Sequence, residues 1–286
     1  MSISPLLRSS VPLRSYGGQA PLLRCLDIDL TYRCAVPAGG GWSLPFGKTE
    51  HVTIPALRDV SFDLHEGEWL GITGPNGSGK TTLLQVLAGL LVPERGIVAK
   101  RGRVSCFFGL GEGFHPERTA VENLRFFRLL YGLSEDDQYP VEQIIRFAGT
   151  ESHKDLPLKY YSTGLRMRLA FSAAIHVDAD IFLFDEVLAV GDEEFREKCF
   201  TTMQSLKERG AAVILATHNA PALFRHCDRL IGMRSGRIVQ DDSVRIWKRL
   251  HEERQEQEKI CRSNIHRVYQ RTRNRSQQQC LAGLDK

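Results

Sequence analysis

The run Gly74-Pro75-Asn76-Gly77-Ser78-Gly79-Lys80-Thr81 fits the pattern G-x-x-x-x-G-K-[ST] and constrains the chain on both sides of it. A loop that wraps a phosphate needs successive backbone N–H groups turned inward, which glycines permit. It also needs a helix N-terminus whose first amides have no intrahelical acceptor. Trp69 to Thr73, apolar and ending at a glycine, reads as the strand that delivers the loop, and Thr81 to Leu91 as the helix that follows. In this reading Gly74, Asn76, Gly77, Ser78, Gly79, Lys80, Thr81 and Thr82 form the phosphate-binding set. Lys80 reaches the β and γ phosphates of a nucleotide, and the Thr81 hydroxyl takes Mg²⁺. Alone, the run is a glycine turn; the strand before it and the helix after it argue for the phosphate loop.

Ile181 to Phe184 and Ala212 to Ala216 are further continuous apolar runs, as expected of strands buried on both faces of a parallel sheet. Leu23 to Tyr32 and Leu57 to Leu64 instead nearly alternate apolar and polar residues, as half-buried strands do, and the Gly and Pro rich segment Pro37 to Gly47 between them reads as a loop. Thr119 to Tyr131, Val141 to Phe147 and Gly164 to His176 have helical patterning, with Thr119 placed to cap just after Pro116. The expectation is a mostly parallel α/β core interrupted by a helical insertion.

Asp185 and Glu186 close the apolar run Ile181-Phe182-Leu183-Phe184. At the end of a buried strand, Asp185 can hold Mg²⁺ directly or through water. Mg²⁺ keeps several waters and takes few protein carboxylates, so Thr81, Asp185 and the phosphates suffice. Glu186 is then placed to orient or deprotonate the attacking water. Taken alone, the acid pair is equally a solvated turn; beside a phosphate loop the catalytic reading prevails. His218, in Ala216-Thr217-His218-Asn219, follows a central strand on the edge where open α/β sheets bind ligands, a position suited to contacting the γ-phosphate.

Composition narrows the classes. The 286 residues, 42% hydrophobic and 25% charged, suffice for one large domain or two small ones. The most apolar stretches, Leu83 to Val92 and Leu169 to Val177, are shorter than the roughly 20 residues that span a bilayer, so a transport role requires another chain for the membrane path. The formal charge of +4 is mild. Seven scattered cysteines without a Cys-x-x-Cys pair read as reduced cytosolic thiols. Residues 1–24, with Arg8, Arg14 and Arg24 and no acid, have the composition of a transit peptide or of a loosely docked tail, without the apolar core of a secretory signal. After Asp242 the chain turns polar, and Arg262, Arg267, Arg271, Arg273 and Arg275 suit either anionic lipid head groups or a solvated tail. Val244, Ile246, Trp247 and Leu250 suggest a short docking helix before them. No module for reading nucleic acid accompanies the charge, so no nucleic acid partner is expected.

These motifs, with Tyr161-Ser162-Thr163-Gly164-Leu165-Arg166 opening a helix upstream of the acid pair, resemble the ATP-binding cassette family over about Leu23 to Asp242. The resemblance implies an α/β P-loop NTPase fold: a mostly parallel central sheet, an antiparallel β subdomain and an inserted helical subdomain. It divides the chain into a tail over 1–22, a nucleotide-binding domain over 23–242 with its helical subdomain at about 117–178, and a basic tail over 243–286. It implies ATP and Mg²⁺ as cofactors, Lys80, Glu186 and His218 as catalytic residues, and Thr81 and Asp185 as metal ligands. Ser162 and Gly164 are implied to bind the γ-phosphate of ATP held by a second copy, in a head-to-tail homodimer. Tyr32 looks like the aromatic that stacks on adenine, and Ala189-Val190-Gly191-Asp192 resembles the dimer-contact loop.

Gly111 to Glu117, Glu122-Asn123, Arg168 to Phe171 and Glu186 to Asp192 further look like the ATPase subunits of polysaccharide exporters, which carry O-antigen, capsule or teichoic acid and pair with a separate permease. That implies a peripheral subunit on the cytoplasmic face of the cell membrane, contacting the bilayer indirectly. Two departures stand out. Phe108-Gly109-Leu110 lies where the family has glutamine and these exporters have glutamate, so the family's usual side chain linking γ-phosphate and permease contact is absent there, and Glu112 is the acid nearby. The residues after Asp242 are too few and too polar for the glycan-binding domain that some exporters carry. The alternatives are a soluble cassette ATPase, though neither a second cassette nor a coiled coil is present, and an ATP-gated regulatory module.

Overall fold

The computed structural model describes residues 20–37, 49–108, 113–133, 140–185 and 191–253. The chain divides into two compact units, Met1–Asp241 and Asp242–Lys286. In the second, the described residues form a helix over 244–253, with Arg249 and Glu253 paired at 3.9 Å.

The strands are β1 (Leu23–Pro37), β2 (Thr49–Leu64), β3 (Trp69–Thr73), β4 (Arg95–Lys100), β5 (Val104–Phe107), β6 (Ile181–Asp185), β7 (Ala212–Ala216), β8 (Arg229–Arg234) and β9 (Arg237–Ser243). The helices are α1 (Lys80–Ala88), α2 (Ala120–Leu130), α3 (Val141–Ala148), α4 (Thr163–Ile175), α5 (Glu193–Glu208) and α6 (Ala220–His226). Six strands form one sheet in the order β5-β6-β7-β3-β8-β9, in which β5, β6, β7, β3 and β8 pair in parallel. A second, three-stranded sheet has the order β2-β1-β4 with antiparallel pairing. The fold is therefore α/β with a mostly parallel central sheet, an antiparallel β subdomain, and a helical insertion built from α2, α3 and α4.

Every residue of β6 and β7 is buried, which is why their sequences show no alternation. One apolar core joins Leu30, Leu57 and Val60 of the antiparallel sheet to Leu83, Leu84 and Leu87 of α1 and to Leu70, Leu183 and Ile214 of the parallel sheet. Burying the α1 leucines holds the helix that follows the phosphate loop, each contributing about 1.5–3 kcal/mol. The insertion is fixed to the sheet by aromatic packing. Phe171 of α4 meets Phe107 at 5.7 Å, Phe184 at 5.4 Å and Phe195 at 6.4 Å between ring centroids.

Three boundaries differ from the sequence reading. The helix expected to run to Leu91 stops at Ala88, because Gly89 adopts φ 85 and its N–H turns back to the carbonyls of Gln85 and Val86. β2 starts at Thr49 rather than Leu57, and β1 continues through Pro37, a residue expected in a loop; the two strands pair from Pro37 with Thr49 onward. Arg33 to Ala35 and His51 to Ile54 in this extension are exposed, so no burial pattern marked it in the sequence. The remainder of the Pro37 to Gly47 segment, residues 1–19 and the arginines after residue 253 lie outside the described residues. The described cysteines are free, and burial pushes the thiols of Cys25, Cys199 and Cys227 up to about 12. Among the described residues no helix is long and apolar enough to cross a membrane.

Candidate nucleotide site

β3, β7 and β6 lie side by side and end together: Ile72 pairs with Ala216, and Ala216 with Asp185. The phosphate loop, the Thr217-His218 turn and the acid at the end of β6 therefore leave the sheet from one edge. This is the carboxyl edge, where ligands of open parallel sheets bind. A cavity of about 820 Å³ lined by Arg103, Asp180 and Gly210 opens instead at the opposite strand ends.

Two glycines of the loop cannot be replaced without moving the backbone. A Cβ on Gly74 (φ 151) would stand 2.3 Å from the Met233 carbonyl oxygen, and one on Gly79 (φ 103) 2.7 Å from that of Ala56. The loop is braced from behind. Gly236, in the turn between β8 and β9, donates its N–H to the Ser78 carbonyl at 3.0 Å and accepts from the Arg58 N–H at 2.8 Å. Ser78 is 2% exposed, and its Oγ is buried with no hydrogen-bond partner among the described residues. A buried hydroxyl in that state fits a group that a ligand oxygen completes.

Lys80, 8% exposed, donates from Nζ to the carbonyls of Gly74 at 2.9 Å and Pro75 at 3.2 Å, so its charge lies across the loop. One residue on, the Thr81 hydroxyl donates to Asp185 Oδ2 at 2.5 Å, and Asp185 is itself 7% exposed. A hydroxyl and a carboxylate in contact offer two hard oxygen donors. That suits Mg²⁺, which takes one or two protein ligands beside substrate oxygens and water. No cluster of three or more His, Cys, Asp or Glu side chains able to hold a metal exists among the described residues. The Tyr32 hydroxyl lies 3.3 Å from Thr82 Oγ1, bringing an aromatic ring, 38% exposed, to the first turn of α1. His218 is exposed between two anchored neighbours: Thr217, 1% exposed, donates its N–H to the Ile72 carbonyl, and Asn219 caps α6 by accepting from the Ala222 N–H. Lys80, Thr81, Asp185 and His218 thus share one edge of the sheet.

Ser162 and Gly164 stand elsewhere, exposed at the start of α4, where the Ser162 hydroxyl accepts from the Leu165 N–H at 3.2 Å as a helix cap. α4 is tied to the chain beyond β6. Arg168 pairs with Asp192 at 2.6 Å and lies over the Phe195 ring, while Asp192 caps α5. The Phe195 amide, and after it the Arg168 guanidinium, hold the Asp192 carboxyl below its usual range. Glu186, Ala189 and Val190 lie outside the described residues, as do Gly109 and Glu112. Sequence reasoning missed the cap at Asn219, although Asn before Ala220-Pro221 is a recognisable helix start. The orphaned Ser78 hydroxyl and the Arg168–Asp192 pair had no sequence signal, since each depends on a distant neighbour.

Residues 57–189 match the ABC transporter family. The chain is 38% identical over 201 residues to the ABC transporter protein AbcA of Aeromonas salmonicida, and the match covers 69% of the chain and 65% of that protein. It is 40% identical over 190 residues to the O-antigen export system ATP-binding protein RfbB of Klebsiella pneumoniae, covering 66% of the chain and 77% of that protein. It is 38% identical over 184 residues to the teichoic acids export ATP-binding protein TagH of Listeria innocua, covering 64% of the chain and 55% of that protein. Among solved structures, the ATP-binding subunit of an ABC transporter superposes with a TM-score of 0.65 at 22% identity, covering 81% of this chain and 93% of that one. A dimeric ATP-binding cassette in a post-hydrolysis state, bound to ADP and Pi, superposes with a TM-score of 0.61 at 22% identity, covering 78% and 98%.

Proposed function

The chain belongs to the ATP-binding cassette family of ABC transporter ATPases, and from that premise we propose that it is the ATP-hydrolysing subunit powering export of a polysaccharide or lipid-linked glycan through a separate membrane permease. The observation that carries the hydrolytic reading is the contact of Thr81 with Asp185 beside Lys80 on one sheet edge. The export reading is supported by the likeness to proteins named for O-antigen and teichoic acid export.

In this reading the loop amides and Lys80 bind the phosphates of ATP. The low exposure of Ser78 and Lys80 strengthens their electrostatic contacts relative to bulk water. Mg²⁺, when bound, supplies charge neutralisation on the phosphates, and Thr81 and Asp185 are the residues that hold it. Glu186, next in sequence to Asp185, orients or deprotonates the attacking water, and His218 contacts the γ-phosphate. Tyr32 stacks on adenine. Ser162 and Gly164 serve the ATP of a second copy, so the working unit is a head-to-tail homodimer over a nucleotide-binding domain spanning 23–242. The subunit sits peripherally on the cytoplasmic face of the cell membrane, against the permease.

Substituting Glu186→Gln tests the assignment. The variant should bind ATP, turn over at least about a hundredfold more slowly, as loss of a general base does, and accumulate as an ATP-bound dimer in size-exclusion chromatography. Wild-type turnover would remove Glu186 from the mechanism. Intact turnover by the wild-type chain that no candidate permease stimulates would instead favour a cassette ATPase not coupled to transport.

A further inference from the structure

The segment 109–112 joins the parallel sheet to the helical insertion, and α2 grips the backbone on both sides of it. On the sheet side, the Tyr131 hydroxyl accepts from the Cys106 N–H at 3.1 Å and donates to the Cys106 carbonyl at 3.2 Å. Cys106 lies on β5, the edge strand of the sheet among the described residues, and its N–H and C=O turn to Tyr131 where an inner strand's would meet a neighbouring strand. One phenol therefore completes both. Burial pushes its pKa well above the ordinary tyrosine value, so the hydroxyl keeps its proton and serves as donor and acceptor together.

On the insertion side the arrangement repeats. Asn123 is 1% exposed; its Oδ1 accepts from the His115 N–H at 2.6 Å and its Nδ2 donates to the His115 carbonyl at 3.0 Å. The same amide also donates to the carbonyls of Arg118 and Thr119, which locks it to the start of α2. Tyr131 and Asn123 are separated by about 12 Å of helix at 1.5 Å per residue. Packing reinforces the two grips, with Phe127 against Tyr131 at 4.7 Å and against Phe114 at 5.6 Å.

A contiguous route leads from this clamp to the nucleotide edge. Cys106 pairs with Leu183 and Phe107 with Phe184 across β5 and β6, and the next residue of β6, Asp185, bonds Thr81.

We propose that Tyr131 and Asn123 are positioning residues that make α2 move as one body with both ends of segment 109–112, so that nucleotide binding at the phosphate loop is passed to the helical insertion through them. The inference rests on the nucleotide-binding reading above.

Hydrogen–deuterium exchange on the full chain, with and without the β,γ-imido analogue of ATP and Mg²⁺, tests it. In the wild type the analogue should slow exchange about fivefold or more both in the phosphate loop, 74–81, and in α2. In Tyr131→Phe and in Asn123→Asp the loop should keep that protection while the change in α2 falls below about twofold. Loss of the ligand-dependent component is the deciding readout, because a merely structural role leaves it in place in a folded variant. Melting curves establish folding, and if Tyr131→Phe does not fold, Asn123→Asp decides, since it keeps the bond from the His115 N–H. An α2 response that persists in a folded variant overturns the proposal, as does a wild type whose loop responds while α2 does not. A wild type with no response at 74–81 overturns the nucleotide-binding reading, and this proposal with it.

Discussion

The shortest link in the site joins Thr81 to Asp185, residues 104 positions apart, one on the first turn of α1 and the other at the end of β6. A carboxylate held there at 7% exposure, in contact with the Thr81 hydroxyl, presents hard oxygen donors of the kind Mg²⁺ takes. Asp185→Asn keeps the shape and the hydrogen-bonding capacity but removes the anion. Metal stabilisation of phosphoryl transfer is worth several kcal/mol, so Mg²⁺-dependent turnover should fall about a hundredfold or more. Phosphate release at saturating Mg²⁺ measures this, and a variant within tenfold of wild type would take Asp185 out of the metal site. Ser78 and Lys80 belong to the same argument: one has a buried hydroxyl with no hydrogen-bond partner among the described residues, the other a charge resting on the carbonyls of its own loop.

Among the elements, α1 and α2 show how caps set the reach of a helix. Gly89 ends α1 in the left-handed conformation. α2 begins with a capping box in which Thr119 and Glu122 satisfy each other's backbone N–H groups. At the other end of the insertion, His176 caps α4 with Nδ1 2.7 Å from the Ser172 carbonyl, and burial, with Lys198 nearby, lowers its pKa. A folded-state pKa below the unfolded value of 6.5 means that the unfolded chain binds the proton first. The stability contributed by neutral His176 is therefore present above pH 6.5 and is lost as pH falls through the folded-state pKa. The melting temperature should decline over that window, and His176→Gln should flatten the decline. An identical pH profile in the variant would show that another group is responsible.

For the whole molecule, the decisive fact is that Ser162 and Gly164 stand on α4 while Lys80, Thr81 and Asp185 stand on the sheet edge. If two copies share each site, Ser162→Arg and Lys80→Ala should each be inactive alone. Mixed in equal amounts, they should recover about a quarter of wild-type ATPase activity, because half the dimers are mixed and each holds one intact site. Failure to recover any activity, with dimers present, would contradict the shared site.

Much of this was legible in the sequence, and the reason is local. The phosphate loop, the strand before it, the runs that became β6 and β7 and the cap at Thr119 are each set by neighbouring residues, through backbone conformation, burial on both faces or a hydrogen bond three residues away. The extended ribbon of β1 and β2 was not legible, because both of its faces meet solvent and leave no hydrophobic period. The contact of Thr81 with Asp185, the brace from Gly236 and the two grips of α2 were decided only when sheet order and register brought distant backbone and side chains within hydrogen-bond reach. The residues proposed to act at the phosphates stand in short runs, each legible by itself; their connection to one another and to the rest of the protein is a property of the tertiary structure, since hydrogen bonds between distant residues follow from packing geometry and leave no periodic trace in the chain.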